Sequence, residues 1–187
     1  ASGGAFQVLD ISDPDNIQRV AAVNIISATT DNIGATGIKI GTPYAYLIYE
    51  ELDTDLERGY AVFDITDPTS PVQLSATSAS GVAAPNLSRG LEIVTGHAII
   101  MNAAGAGNVS SILLGDGTAP TVADSLALTD NTAEPINTAQ LGKYIYFAWG
   151  TNVSTIDTSD PNNLIETQFP VDAAAADMVF RDGKWLY

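Results

Sequence analysis

Cysteine is absent from the 187 residues, which excludes disulfides, thiolate metal sites and thiol nucleophiles together. Histidine occurs once, at His97, so a zinc site of familiar ligands has no second imidazole to draw on. Positive charge is scarce: seven Lys and Arg stand against 22 Asp and Glu, a formal net charge of −15. A surface of that sign repels nucleic acid phosphates and anionic lipid headgroups, so neither partner is expected. No apolar run approaches the roughly 20 residues that span a bilayer, and no membrane insertion is expected of this segment. With 45% hydrophobic residues the chain can nevertheless bury a real core.

What the chain does have is repetition. One strand-plus-turn phrase occurs at Val8-Leu9-Asp10-Ile11-Ser12-Asp13-Pro14, at Val62-Phe63-Asp64-Ile65-Thr66-Asp67-Pro68 and at Thr155-Ile156-Asp157-Thr158-Ser159-Asp160-Pro161. A worn copy runs from Ile112 to Pro120, with Leu113 in place of the first aspartate and Gly117 in place of proline. Asp13, Asp67, Asp116 and Asp160 are separated by 54, 49 and 44 residues, a period that belongs to repeat architectures. The proline cannot donate to a ladder, so each alternating strand must stop there and turn.

Ahead of each later phrase lie two short apolar runs around a polar or Gly-containing turn: 38–48, 91–101, 141–148 and 178–187. Tyrosine, tryptophan and β-branched residues around Gly-Thr, Thr-Gly and Asp-Gly are β-hairpin chemistry. Hairpin, Asp-Pro strand and a fourth strand make four antiparallel strands per repeat, each small sheet with two apolar faces that only its neighbours can cover. The fold class expected is all-β, a β-propeller of four-stranded antiparallel blades in a single domain over 1–187. The blades fall at about 38–80, 91–129 and 139–172, with 177–187 and 1–25 completing a fourth if the ring closes. Because the chain enters and leaves in mid-blade, and Ala1-Ser2-Gly3-Gly4 has no signal-peptide character, a window cut from a longer propeller is the preferred expectation. The worn copy is expected to form the more irregular blade.

The hairpin followed by a hydrophobic-Asp-Ile-Ser-Asp-Pro strand resembles the LVIVD-repeat family of β-propellers. The resemblance covers nearly the whole chain and is most specific in the first, second and fourth copies. It implies a repeat module of secreted or surface-anchored proteins to which catalysis is not generally assigned, and it carries over no catalytic motif.

Candidate chemistry is sparse. Asp53, Asp55 and Glu57 alternate in the acidic run 50–57 and could offer hard oxygens to calcium, but Gly59 falls out of register with an EF-hand loop, and a solvated acidic loop is the competing reading. Asp10, Asp64 and Asp157 recur at one blade position, as a ring of metal or sugar ligands or as acceptors for the following turn; together with Asp13, Pro14, Asp67, Pro68, Asp116, Asp160 and Pro161 they read as structural repeat residues. Arg89 and Asp177 lie in loops leading into blades, where they meet a ligand at the channel mouth; the competing reading pairs Arg89 with Glu92 or Asp177. His97 is read as a surface turn residue, with ligand binding as the alternative. Tyr44, Tyr46, Tyr144, Tyr146, Trp149 and Trp185 either stack on sugars or pack between blades.

These readings converge on a non-enzymatic module, extracellular or at a cell surface, whose partners are protein or polysaccharide and which needs no cofactor. Two alternatives stay open. One is a ligand-binding or enzymatic propeller with a site at the channel mouth, calcium-dependent or not. The other is a structural subunit that self-associates through open blade edges.

Overall fold

The computed structural model describes residues 5–25, 33–51, 58–78, 90–101, 108–129, 138–149, 152–170, 179–181 and 184–186. Among them are sixteen strands and no helix: β1 (Ala5–Asp10), β2 (Gln18–Asn24), β3 (Ile33–Gly41), β4 (Tyr44–Glu51), β5 (Arg58–Asp64), β6 (Val72–Ser78), β7 (Gly90–Val94), β8 (His97–Met101), β9 (Asn108–Leu113), β10 (Thr121–Ala127), β11 (Thr138–Leu141), β12 (Tyr144–Trp149), β13 (Asn152–Asp157), β14 (Ile165–Pro170), β15 (Val179–Arg181) and β16 (Lys184–Leu186). They form three four-stranded antiparallel meanders, β3–β6, β7–β10 and β11–β14, and two two-stranded sheets, β1–β2 and β15–β16.

Alternation along the central strands explains why these sheets stack as blades. In β4, Ala45, Leu47 and Tyr49 enter one apolar cluster with Phe6 of β1, while Tyr46 and Ile48 enter a second with Leu91 and Ile100 of the next sheet. In β8, Ala98 and Ile100 face back into that second cluster, and Ile99 and Met101 face forward onto Ile145, Phe147 and Ile156. A strand with period two and both faces apolar has to be covered twice. Phe6 stacks on Phe63 at 4.5 Å between ring centroids, which ties β1–β2 to the first full sheet. The first strands of the full sheets also converge, β7 touching both β3 and β11.

Local chemistry sets the corners. Thr95 and Gly96 both have positive φ, 41° and 75°, the backbone of a two-residue type I′ hairpin. Beyond β5, β9 and β13 the next amide closes on the preceding hairpin turn: Ile65 N donates to Pro43 O at 2.8 Å, Leu114 N to Gly96 O at 3.0 Å and Thr158 N to Lys143 O at 2.8 Å. The same bond in all three full sheets places Leu113 at the position of Asp64 and Asp157. The worn copy keeps four strands and has one bulge, at Ala123, where the first full sheet has one at Leu74; it is less regular than the third sheet, whose pairs all run without a shift, and more regular than the first, which has a second shift between β3 and β4. Gly115 and Gly117, at φ 57° and 81°, turn the chain where proline is missing, and Gly117 sits so close to Leu74 that a Cβ would lie 2.9 Å from its side chain.

Candidate functional site

The repeated aspartates hold their own turns. Asp10 Oδ1 accepts Ser12 N at 2.9 Å, Asp64 Oδ1 accepts Thr66 N at 2.8 Å, and Asp157 Oδ1 accepts Ser159 N at 2.8 Å. Three residues on, Asp13, Asp67 and Asp160 accept the amides of Asp15, Thr69 and Asn162, and Asp116 does the same for Thr118 in the worn copy. The turns then close as Asn16, Ser70 and Asn163 N–H groups donate to the carbonyls of Asp13, Asp67 and Asp160, each at 3.0 Å. Pro14, Pro68 and Pro161 follow the second aspartate, where a fixed φ and a missing N–H suit a turn. Hydrogen bonds favour the charged carboxylate. Asp64, Asp67 and Asp116 therefore lie below the usual carboxylate range, through the hydroxyl and amide of Thr66, Thr69 and Thr118 respectively. Asp157 falls furthest, to about 2, because the Ser159 hydroxyl and amide are joined by the Lys143 ammonium, 3.0 Å from its Oδ2.

A second constellation lies on the first strands, where the three full sheets converge. Glu92 of β7 is buried, yet it carries a carboxylate. Lys39 of β3 reaches it at 3.0 Å to Oε1 and 2.9 Å to Oε2, and the Thr138 hydroxyl of β11 donates to Oε1 at 2.9 Å. One carboxylate thus bridges three successive sheets. Gly90 permits the approach, since a Cβ there would lie 2.3 Å from the Thr138 methyl. Further out, Glu166 of β14 accepts the Thr129 amide and hydroxyl at 2.8 and 2.9 Å and the Ser154 hydroxyl at 2.7 Å. Asp124 accepts Leu164 N at 2.7 Å across the same interface.

The third constellation is an open face. On β11–β14, Tyr144, Tyr146, Thr155, Asp157, Thr167 and Phe169 line a shallow cavity of about 340 Å³. Tyr144 and Tyr146 meet edge to face at 6.3 Å, with the Lys143 ammonium 4.8 Å from the Tyr144 centroid.

The family model of the LVIVD repeat matches residues 138–169, which is this third sheet from the first residue of β11 to Phe169 in β14. The chain carries an LVIVD repeat. Among curated proteins, none matches the chain. In the LVIVD blade the two aspartates of the Asp-Pro phrase, Asp157 and Asp160, both serve the turn between β13 and β14.

His97 corrects the sequence reading: it is buried and opens β8, and only Thr95 and Gly96 form the exposed turn. The reason is its place on an inner strand, paired with Val94 on one side and Leu113 on the other. Its Nδ1–H donates to Thr95 O at 3.0 Å, and Nε2 is buried with no partner among the described residues. Glu92 is held by Lys39 and Thr138; its expected pairing with Arg89, one alternative to Asp177, falls outside the described residues. Arg89, Asp177, Asp53, Asp55 and Glu57 lie outside the described residues, as do the side chains of Trp149 and Trp185. Among the described residues no three His, Asp or Glu side chains are gathered as metal ligands, and none forms a helix long and apolar enough to cross a membrane.

The Lys39–Glu92–Thr138 bridge was missed because its members lie 53 and 46 residues apart. The one signal was Lys39 and Glu92 at matching places in their hairpins, paired with Tyr46 and Ile99.

Proposed function

We propose that this chain is a non-enzymatic interaction or structural module built from LVIVD-like blades, acting outside the cell or at its surface on a protein or polysaccharide partner. The observation that carries this reading is what the repeated carboxylates do. Asp10, Asp64 and Asp157, the side chains best placed for a ring of ligands, each accept the amide two residues on, so the repeat's own chemistry serves the scaffold. The strong acidity suits an exposed, soluble surface.

The test is antibody labelling of intact source cells, paired with binding of the labelled chain to their envelope polysaccharide and envelope protein fractions. Surface labelling with saturable binding to either fraction is the expected result. Labelling only after permeabilisation, or no saturable binding, overturns the proposal. The polar bridge where the first strands meet favours a second reading, ligand binding at the channel mouth. Under that reading Glu92→Gln abolishes binding in a chain that still folds; under the first, binding survives.

A further inference from the structure

Each Asp-Pro turn holds a bond that can react as well as a scaffold. In Asp13, Asp67 and Asp160 one carboxylate oxygen, Oδ1, is taken by the amide two residues on, and Oδ2 accepts nothing among the described residues. Oδ2 can reach the carbonyl carbon of its own residue by closing a five-membered ring. The oxygen on that carbon already accepts the Asn16, Ser70 or Asn163 N–H at 3.0 Å, a donor placed where negative charge develops when the carbon is attacked. The nitrogen on its far side belongs to proline, so it carries no hydrogen and leaves as a secondary amine once it takes a proton.

The step balances without a cofactor. Ionised Oδ2 attacks the aspartate carbonyl carbon, the bond from that carbon to the proline nitrogen breaks, and the nitrogen takes its proton from solvent acid. The aspartate is left as a cyclic anhydride, and one water opens it to the side-chain carboxyl and a new terminal carboxyl. Mild acid suits the step, because it supplies the proton while part of the carboxylate stays ionised.

The three turns share this geometry and differ in cover. Pro14 and Pro68 are exposed, as their aspartates are, whereas Pro161 is buried beside an exposed Asp160. The last turn is drawn onto the second full sheet, where Asp124 takes Leu164 N at 2.7 Å; Ile17, at the place of Leu164 in the first turn, is 57% exposed. A buried nitrogen is out of reach of solvent acid. The worn copy supplies a control. Asp116 accepts the Thr118 amide and hydroxyl at 3.0 and 2.6 Å, as Asp67 accepts those of Thr69 at 2.9 and 2.7 Å, but glycine follows it in place of proline.

We propose that Asp13–Pro14 and Asp67–Pro68 are self-cleavage sites that open in mild acid while the chain is folded, and that Asp160–Pro161 is the protected member of the set. This goes beyond the proposed function and does not depend on it. Each cut lies in the turn between paired strands, β1–β2 or β5–β6, so the cut chain stays assembled until it is unfolded. The test is denaturing mass spectrometry of the full chain held at about pH 4, near the ordinary aspartate value, and at about pH 7, with circular dichroism of the same samples. Wild type, Asp13→Asn and Asp67→Asn are compared, since asparagine keeps the turn acceptor and lacks the nucleophile. The expected result at the lower pH is cutting after residues 13 and 67 at least tenfold faster than after 160, with none after 116. Each variant loses its own cut and keeps the other, and in urea the rate after 160 rises to match. An uncut folded chain, equal rates at all three bonds before unfolding, or variants that are still cut at the substituted position would each overturn the proposal. So would loss of the circular dichroism signal ahead of any cut, since the bonds then open only in the unfolded chain.

Discussion

Tyr46 and Tyr146 occupy the same place in two blades, with the same neighbouring tyrosine at the same distance, and differ in what lies over them. Tyr46 is 7% exposed beneath the second full sheet, and burial pushes its hydroxyl pKa up; Tyr146 is half-buried on an open face. The repeat therefore sets the local geometry of the ring pair, and the neighbouring blade sets how much that geometry stabilises. Two residues with one sequence context need not carry equal weight.

The sharpest way to break this comparison is truncation of both rings. Tyr46→Ala is expected to cost about 3 kcal/mol and Tyr146→Ala about 1 kcal/mol, since only the first leaves a cavity between two sheets. Urea unfolding of the two variants reads the difference directly, and equal losses would mean that the third sheet is covered as fully as the first.

A smaller effect separates the two ends of the Lys39–Glu92 ion pair, of which only the carboxylate is buried. Lys39→Met leaves the buried Glu92 carboxylate with the Thr138 hydroxyl but without its cation and is expected to cost about 2 kcal/mol; Glu92→Gln leaves a half-exposed ammonium that water can reach and should cost about 1 kcal/mol. Chemical denaturation in low and high salt checks the order, with the Lys39→Met loss the less salt-sensitive.

The smallest effect compares the turns. Asp157 is lowered from 3.8 to about 2 by the Ser159 hydroxyl and amide and then Lys143, whereas Leu113 stands at its position in the second full sheet. A depressed carboxylate pKa adds stability that is present above the unfolded value and is lost as pH falls through the folded one. Acid titration from pH 4 to pH 2, followed by circular dichroism, should therefore show a shallower loss in Asp157→Asn than in the wild type. Identical acid limbs would show that the turn bonds do not couple to folding.

The turns and hairpins were legible in the sequence because their physics is local. An aspartate reaches the amide two residues on whatever the rest of the chain does, and Thr95-Gly96 adopts positive φ within two residues. The turn of the worn blade was less legible, since Gly117 and the buried Leu114 stand in for a proline by packing against the blade before it. His97 was misjudged because its neighbours in sequence form an exposed turn, while its partners across the sheet bury it.

By itself the sequence determined the all-β class, the strand-plus-turn period, the acidic surface and the carboxylates that close each turn, all of them consequences of side-chain alternation and short-range hydrogen bonding. Only the tertiary structure decided that Glu92 would join Lys39 to Thr138, that His97 would be buried, and that one tyrosine pair would be covered and its counterpart left open. Those outcomes depend on which sheet faces come together, and residues about 50 positions apart carry no local signal of their contact.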